Sequence, residues 1–403
     1  MTSTRHRRLL GFCRFSIVFV LLLVCCGNIT NSVLLKWGFR DDQRNADYVH
    51  TFALVGMMEG AAPKPYVYRS SMPKATKWLA DQFSPALSQK LFKSIKRYDS
   101  LHHAYFAGVP DQYWTAEVAL AYHAMYFAVM LAMIFTLLIV YRLARMHGFA
   151  FSHALGFMVA FSLFYPLTFQ KGGYYYDFFE ILGAFAVVYC YMKRSMLLAT
   201  LLVALFSLNK ETFFLVPLAL FFLHERDVAP GKRFAWLAVQ IGICMVTRHF
   251  IMSGYEANSG GFVEIHGVEN LLFWINPLSY VSFYNVVAKG VFTPSLQNPL
   301  IAVPLLVFFL HAWRRSPSLY KRYFLAAALP IAALCACFGF EDEARDAALV
   351  FPSLVLIALH GARRFGDIFN GELNDKFDND LNNEKRGATS ANNASEPAVL
   401  EKA

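Results

Sequence analysis

Charged residues are scarce in this chain. Of its 403 residues, 16% are Asp, Glu, Lys or Arg, whereas ordinary proteins have about 25%. Hydrophobic residues make up 57% of the chain. Apolar runs at 116–140, 149–169 and 235–252 approach or exceed the roughly 20 residues that cross a hydrocarbon core of about 30 Å. This composition excludes a soluble globular domain and predicts an all-α polytopic membrane protein.

Paired cysteine motifs are also missing. The seven cysteines lie in or beside apolar runs, with no Cys-x-x-Cys pair and no histidine at ligand spacing. The pattern therefore favours small buried side chains over a disulfide framework or a zinc site. No ligand spacing identifies another metal either, although clustered carboxylates could bind a divalent cation.

Basic residues exceed acidic ones, and the formal net charge is +9. They occur as short clusters between apolar runs, so membrane topology explains the excess better than nucleic-acid binding. Placing the clusters between closely spaced apolar runs on the cytoplasmic side gives about 10 transmembrane helices within residues 1–369 of a cytoplasmic (inner) membrane protein. Both termini are then cytoplasmic, with long outer loops at 36–115 and 253–298. Residues 370–403 are polar and predict a disordered cytoplasmic tail.

Both outer loops contain amphipathic segments. Between Lys74 and Tyr98, apolar residues recur every four positions (Phe83, Leu87, Leu91 and Ile95) while lysines occupy other faces. This pattern predicts a helix lying in the headgroup plane. The stretch 268–287 is rich in Leu, Phe, Trp and Tyr and predicts a second interfacial element.

The segment 205–214 reads LFSLNKETFF and places an amide, a cation and an anion inside an apolar run. A charge at the centre of a bilayer costs at least about 2.5 kcal/mol. A tight hairpin over 195–223 removes this cost, because Asn209, Lys210 and Glu211 then form its tip at the outer water–lipid boundary. The tyrosines 174–176 are expected at the same boundary as aromatic-belt anchors.

The topology brings further charged residues to that boundary, including Asp41, Asp42, Asp177, Glu341 and Arg345. A carboxylate can accept the proton of an attacking hydroxyl, and Lys or Arg can neutralise a departing phosphate. Such a set suits a reaction between a lipid phosphate and a polar acceptor.

Four segments carry a resemblance: 66–73 (YVYRSSMP), 176–180 (YDFFE), 209–212 (NKET) and Glu341-x-x-x-Arg345. Together with the outward first helix and the acidic pair that follows it, these segments resemble a bacterial branch of the GT-C superfamily of integral-membrane glycosyltransferases. The resemblance covers about residues 10–365. Lys210 departs from the arginine expected in NRE, which replaces a bidentate phosphate contact by a point charge.

The resemblance implies an inverting transfer of a sugar from a polyprenyl-phosphate donor to a glycan, lipid or protein acceptor. Asp41 or Asp42 is the implied base, and Asp47 stays open. Arg69, Lys210 and Arg345 are expected to hold the donor phosphate, supported by Asp177, Asn209, Glu211 and Glu341.

Two other functions remain open from the sequence. One is a flippase or transporter of lipid-linked or glycan intermediates, although no internal repeat is found and the charges gather at one edge. The other is a different membrane transferase, namely a polymerase, ligase or acyltransferase. His123 and His153 would serve acyl transfer, but neither has an evident partner in the sequence.

Overall fold

A computed structural model describes residues 2–37, 39, 53–169, 173–223, 228–261, 265–287, 291–339 and 344–362. Asp41, Asp42, Asp47, Glu341 and the tail 370–403 lie outside the described residues. The described chain is almost entirely helical, as composition predicts, with one short antiparallel hairpin of β1 (Phe283–Val287) and β2 (Val291–Pro294). The helices are α1 (Thr2–Trp37), α2 (Leu54–Glu59), α3 (Ser71–Asp81), α4 (Pro85–Arg97), α5 (Ala116–Met146), α6 (Phe151–Phe164), α7 (Tyr175–Met192), α8 (Met196–Ser207), α9 (Leu215–Phe221), α10 (Pro230–Ser253), α11 (Gly267–Ile275), α12 (Pro299–Arg315), α13 (Ser318–Phe338) and α14 (Phe351–Ala362).

Among the residues that the structure describes, five helical segments are long and apolar enough to cross a membrane: Gly11–Leu34, Ala116–Met146, Phe151–Thr168, Pro230–Ser253 and Ser318–Phe338. They support a membrane protein. The other predicted spans correspond to α7, α8, α9, α12 and α14, which are shorter or more polar. At 12 residues, α8 is only about 18 Å long. The count of about ten spans therefore stays a prediction.

Contacts along α10 fix the directions of α8 and α9. Gln240 of α10 donates a hydrogen bond to Thr200 of α8 at 2.9 Å. Farther along, Arg248 lies 3.7 Å from Glu211, whereas Phe221 at the end of α9 packs on Phe234 near the start of α10, with ring centroids 4.8 Å apart. The chain thus turns back between α8 and α9, where the sequence predicted a hairpin.

The amphipathic segment 74–98 forms two helices, α3 and α4, instead of the single helix that its periodicity predicts. Ser84 begins the second one, because its hydroxyl accepts a hydrogen bond from Leu87 N at 3.4 Å and Pro85 occupies the first helical position. Proline suits that position because it has no N–H to leave unpaired.

The second predicted interfacial element contains α11, which is attached to the end of α13. The Asn270 side-chain amide donates to the carbonyl oxygens of Cys335, Ala336 and Gly339 at 3.1, 3.1 and 2.7 Å. Apolar side chains of α11 point away from the protein, and Val268 and Ile275 are 70% and 66% exposed. An exposed apolar face at the end of an apolar helix agrees with a position in the membrane interface.

Helices α7 and α8 pack closely where α7 carries a glycine. A Cβ atom on Gly183 would lie 2.5 Å from Cγ of Phe206 and 2.8 Å from a ring carbon of Phe213. Phe206 lies near the end of α8, and Phe213 follows the turn that leads to α9. The absence of a side chain at this position therefore sets the distance between α7 and the α8–α9 turn.

We expect Gly183→Ala to lower the thermal midpoint of the detergent-solubilised protein, because overpacking costs about 1–3 kcal/mol. Gly156→Ala in α6 is the matched control, since a Cβ there meets nothing within 4 Å. Fluorescence-detected size-exclusion chromatography after heating measures both. Equal midpoints for the two variants would contradict the close packing at Gly183.

Candidate functional site

The first turn of α7 presents two carboxylates to the protein interior. Asp177 Oδ2 accepts a hydrogen bond from Tyr174 N at 3.0 Å, which fixes the start of the helix. Glu180 follows three residues later and therefore lies on the same face. Both side chains are fully buried. Two buried negative charges this close together require a cation.

Lys210 supplies that cation from the turn between α8 and α9. Its Nζ lies 2.8 Å from Glu180 Oε2, 3.0 Å from Asp346 Oδ1 and 3.4 Å from Asp177 Oδ1. The neighbouring Asn209 holds the turn against α7, because its Nδ2 donates to the Tyr176 carbonyl oxygen at 2.9 Å. Thr212 donates to the other oxygen of Glu180 at 2.6 Å.

The predicted turn is present, but the expectation that its tip avoids the cost of burial is wrong. Lys210 is only 4% exposed and Asn209 only 3%. Burial alone would lower the pKa of the Lys210 ammonium, but Asp346, Glu180 and Asp177 outweigh burial and raise it well above its usual value. The cost of the buried charge is therefore offset by surrounding carboxylates instead of being avoided by exposure.

Glu211, the next residue, belongs to a second group of charges. Arg69 donates to both of its carboxylate oxygens, with Nε 3.3 Å from Oε2, and Arg69 Nη1 donates to the Tyr176 hydroxyl at 3.0 Å. Burial would lower the pKa of Arg69, but Glu211 keeps it well above its usual value. Arg248 approaches Glu211 from α10 at 3.7 Å. The sequence does not distinguish this arrangement from a local Lys210–Glu211 pair.

Arg345 completes the set from the 3-10 segment Ala344–Leu349. Its Nε lies 3.5 Å from Asp177 Oδ2, and its guanidinium lies over the Tyr174 ring, 5.0 Å from the centroid. Tyr174 stacks on Tyr176 with ring centroids 4.8 Å apart, and the Arg69 guanidinium lies over the Tyr176 ring, 4.9 Å from its centroid. The tyrosines are thus buried between two arginines and are not the aromatic-belt anchors that the sequence predicts.

A cavity of about 480 Å³ opens onto these groups, within the usual range of ligand sites. Charged and aromatic residues form one wall and apolar side chains the other. On the charged wall Asp346 and Glu211 are the more accessible carboxylates, with 25% and 29% of their side chains exposed. The apolar wall consists of Phe214 and, from α13 and its end, Ile331, Leu334 and Phe338. The cavity can therefore accept a molecule with a polar and an apolar part.

Most of the predicted site residues within the described ranges meet here. Arg69, Asp177, Lys210, Glu211 and Arg345 line the cavity, and Asn209 holds the turn behind them. Asp41, Asp42 and Glu341 lie outside the described residues, so their roles stay predictions. Comparison of the chain with protein-family models, with curated proteins and with solved structures finds no match.

Three charged groups of the site were assigned no role from the sequence: Glu180, Asp346 and Arg248. The predicted topology does place Asp346 and Arg248 at the same outer boundary. The spacing of Asp177 and Glu180 could have indicated Glu180, because residues three apart share a helix face. Asp346 directly follows the predicted Arg345. Arg248 has no local signal beyond being a charge in an apolar helix.

Carboxylates in this cluster contact cations. The described residues contain no group of three or more His, Cys, Asp or Glu side chains arranged to hold a metal ion. Asp177, Glu180 and Asp346 converge on the Lys210 ammonium. Within the described residues the cluster contains four cationic side chains and four carboxylates, namely Arg69, Lys210, Arg248 and Arg345 with Asp177, Glu180, Glu211 and Asp346.

We expect Lys210→Met to destabilise the protein by about 3–5 kcal/mol, because removing one partner leaves buried charges uncompensated. Adding Glu180→Gln should restore part of that loss, which a double-mutant cycle on thermal or denaturant unfolding measures. Lys77→Met is the control, since the Lys77–Glu59 pair at 2.6 Å is exposed and exposed pairs contribute about 1 kcal/mol or less. Additive effects of the two site substitutions would contradict the coupling.

The Asp346 carboxylate gives a prediction for acidic pH. Burial would raise its pKa, but Lys210 and Arg345 outweigh burial and hold the pKa below its ordinary value of 3.8. As pH falls, the unfolded chain therefore binds a proton at Asp346 before the folded chain does. The stabilisation that the Asp346 carboxylate contributes is complete above about pH 5 and is lost as pH falls through the folded-state pKa. The difference in unfolding free energy between wild type and Asp346→Asn should be constant from neutral pH down to about pH 5 and should shrink at lower pH. A difference that grows on acidification would contradict this assignment.

Proposed function

We propose that the protein is an inverting GT-C-type glycosyltransferase that uses a polyprenyl-phosphate sugar at the outer face of the cytoplasmic membrane. The observation that carries the proposal is the two-sided cavity, which joins a wall of cations, carboxylates and tyrosines to an apolar wall from a candidate membrane span. A lipid-linked sugar has the same division, since a phosphate and a sugar follow a long apolar chain. The order of the four segments that resemble the superfamily adds independent support.

The charge balance of the cluster constrains how a phosphate would bind. Because each described cation already faces a carboxylate, an added phosphate needs a cation whose present partner can move. Asp177 and Glu180 are fully buried and are poor candidates for displacement. Asp346 is partly exposed and lies on the short 344–349 segment. The donor phosphate would therefore take the place of Asp346 beside Lys210 and Arg345, while Arg69 stays paired with Glu211.

The proposed reaction forms one bond and breaks one. The acceptor hydroxyl oxygen attacks the anomeric carbon of the sugar, and its proton passes to Asp41 or Asp42. The bond from the anomeric carbon to the phosphate oxygen breaks on the opposite side, which inverts the configuration. Polyprenyl phosphate leaves with the electron pair and is stabilised by Lys210 and Arg345. The acceptor is a glycan, a lipid or a protein.

The test uses the full chain in proteoliposomes that contain a labelled polyprenyl-phosphate hexose and envelope glycans or lipids as acceptors. We expect label to move to an acceptor with release of polyprenyl phosphate, identified by mass. Asp41→Asn or Asp42→Asn should lower the rate by about 10²–10⁴-fold if that carboxylate is the base. Arg345→Gln should raise KM for the donor.

Undiminished transfer by Asp41→Asn, Asp42→Asn and the double variant would overturn the assignment of the base. Translocation of the labelled lipid between leaflets without covalent change would overturn the transferase proposal itself and favour the flippase alternative.

A further inference from the structure

The turn between α8 and α9 ends in a short 3-10 segment, Glu211–Phe214, to which the mechanism proposed above assigns no ligand. A 3-10 helix has three residues per turn, so the side chains of its first and fourth residues lie one above the other. Glu211 and Phe214 occupy these two positions, and both line the cavity. The segment therefore presents a carboxylate and an aromatic ring to the cavity from one face.

The two middle residues of the segment hold it in this orientation. Phe213 is 1% exposed and lies against α7, where Gly183 leaves room for its ring. The Thr212 hydroxyl donates to Glu180 Oε1 at 2.6 Å. Phe214, by contrast, is 39% exposed. Its ring offers a ligand in the cavity a flat apolar surface.

The Glu211 carboxylate is oriented and kept ionised. Burial would raise the pKa of this carboxyl group, but Arg69 outweighs burial and lowers the pKa to about 2. A carboxylate with so low a pKa is a poor proton acceptor at neutral pH, yet it can accept about four hydrogen bonds. Arg69 takes one position on each oxygen and the backbone N–H of Glu211 takes another. A position is left for a hydroxyl of a ligand.

A carboxylate beside an aromatic ring is suited to a sugar. The face of a sugar ring carries C–H groups, which pack on an aromatic ring, and its edge carries hydroxyls, which donate to a carboxylate. A hydrocarbon chain has no donor for the carboxylate, and a phosphate is repelled by it. The pair therefore favours the sugar over the other two parts of a lipid-linked donor.

The remaining apolar residues of the cavity have a different arrangement. Ile331, Leu334 and Phe338 follow one another on α13 at spacings of three and four residues, so they share one helix face,. Because α13 is a candidate membrane span, this face is suited to the apolar chain. Lys210 and Asp346 lie 3.0 Å apart where the phosphate is proposed to bind. Each part of the donor then has its own part of the cavity wall.

We infer that Glu211 and Phe214 form the sugar subsite of the cavity. The Phe214 ring packs on one face of the sugar, and the Glu211 carboxylate accepts a hydrogen bond from one of its hydroxyls. The inference rests on the proposed function, because it assigns one part of the proposed donor to this pair. The competing explanation is that Phe214 contacts the apolar chain, as Phe338 does.

The experiment makes the same substitution at two phenylalanines of the cavity, which are 39% and 42% exposed. Phe214→Leu and Phe338→Leu each keep an apolar side chain and remove the flat ring. The full chain in detergent is titrated with polyprenyl-phosphate glucose, with polyprenyl-phosphate mannose and with polyprenyl methyl phosphate, a diester of the same charge that has no sugar. Native mass spectrometry measures each Kd. The ratio of the Kd of the methyl diester to that of the tighter sugar lipid reports the contribution of the sugar.

We expect wild type to bind one of the sugar lipids more tightly than the methyl diester. Phe214→Leu should lower the ratio about two- to tenfold, the range for one aromatic contact, and leave the Kd of the methyl diester unchanged. Phe338→Leu should weaken all three lipids by the same factor, because it contacts the chain that they share. Phe214→Tyr should keep the wild-type ratio, since it keeps the ring. An unchanged Kd for the methyl diester also verifies that the Phe214 variants are folded.

A ratio that Phe214→Leu leaves unchanged, or that Phe338→Leu lowers equally, would overturn the sugar subsite and leave the transferase proposal standing. Wild type that binds the methyl diester as tightly as both sugar lipids would overturn the subsite as well. Binding of none of the three lipids would instead overturn the proposed function.

Discussion

The buried ammonium of Lys210 is the interaction on which the candidate site depends. It joins Asp177 and Glu180 of α7 to the turn between α8 and α9 and to Asp346 before α14. The Lys210 ammonium and the carboxylates around it need one another in the protein interior, because an unpaired buried charge costs several kcal/mol. The cluster therefore specifies how three sequence-distant segments meet, and the cavity forms at their junction.

The described charges at the first turn of α7 are engaged with one another. Lys210 lies within 3.4 Å of Asp177, Glu180 and Asp346, and Arg345 lies 3.5 Å from Asp177. A charged ligand that binds there must therefore exchange with an existing partner.

Much of the fold follows from local sequence. Apolar length identifies the long helices, and a Ser-Pro pair marks the start of α4. The convergence of Arg69, Lys210, Glu211 and Arg345 was predictable, because the topology proposed from the sequence places their segments at one face. Their pairing was not predictable, since Lys210 and Glu211 are neighbours in sequence yet bind different partners. The burial of Lys210 was missed because exposure at a turn depends on what packs over it.

The sequence by itself determined that the chain is a helical membrane protein and that charged residues gather near the ends of particular helices. Periodicity and composition carry that information because they act through the local backbone and the surrounding lipid. Only the tertiary structure decided that Tyr174 and Tyr176 lie between two arginines and that three carboxylates share one lysine. These contacts join residues that are distant in sequence, since Lys210 is 30 positions from Glu180 and 136 from Asp346. Their free energy depends on mutual burial, which local sequence does not encode.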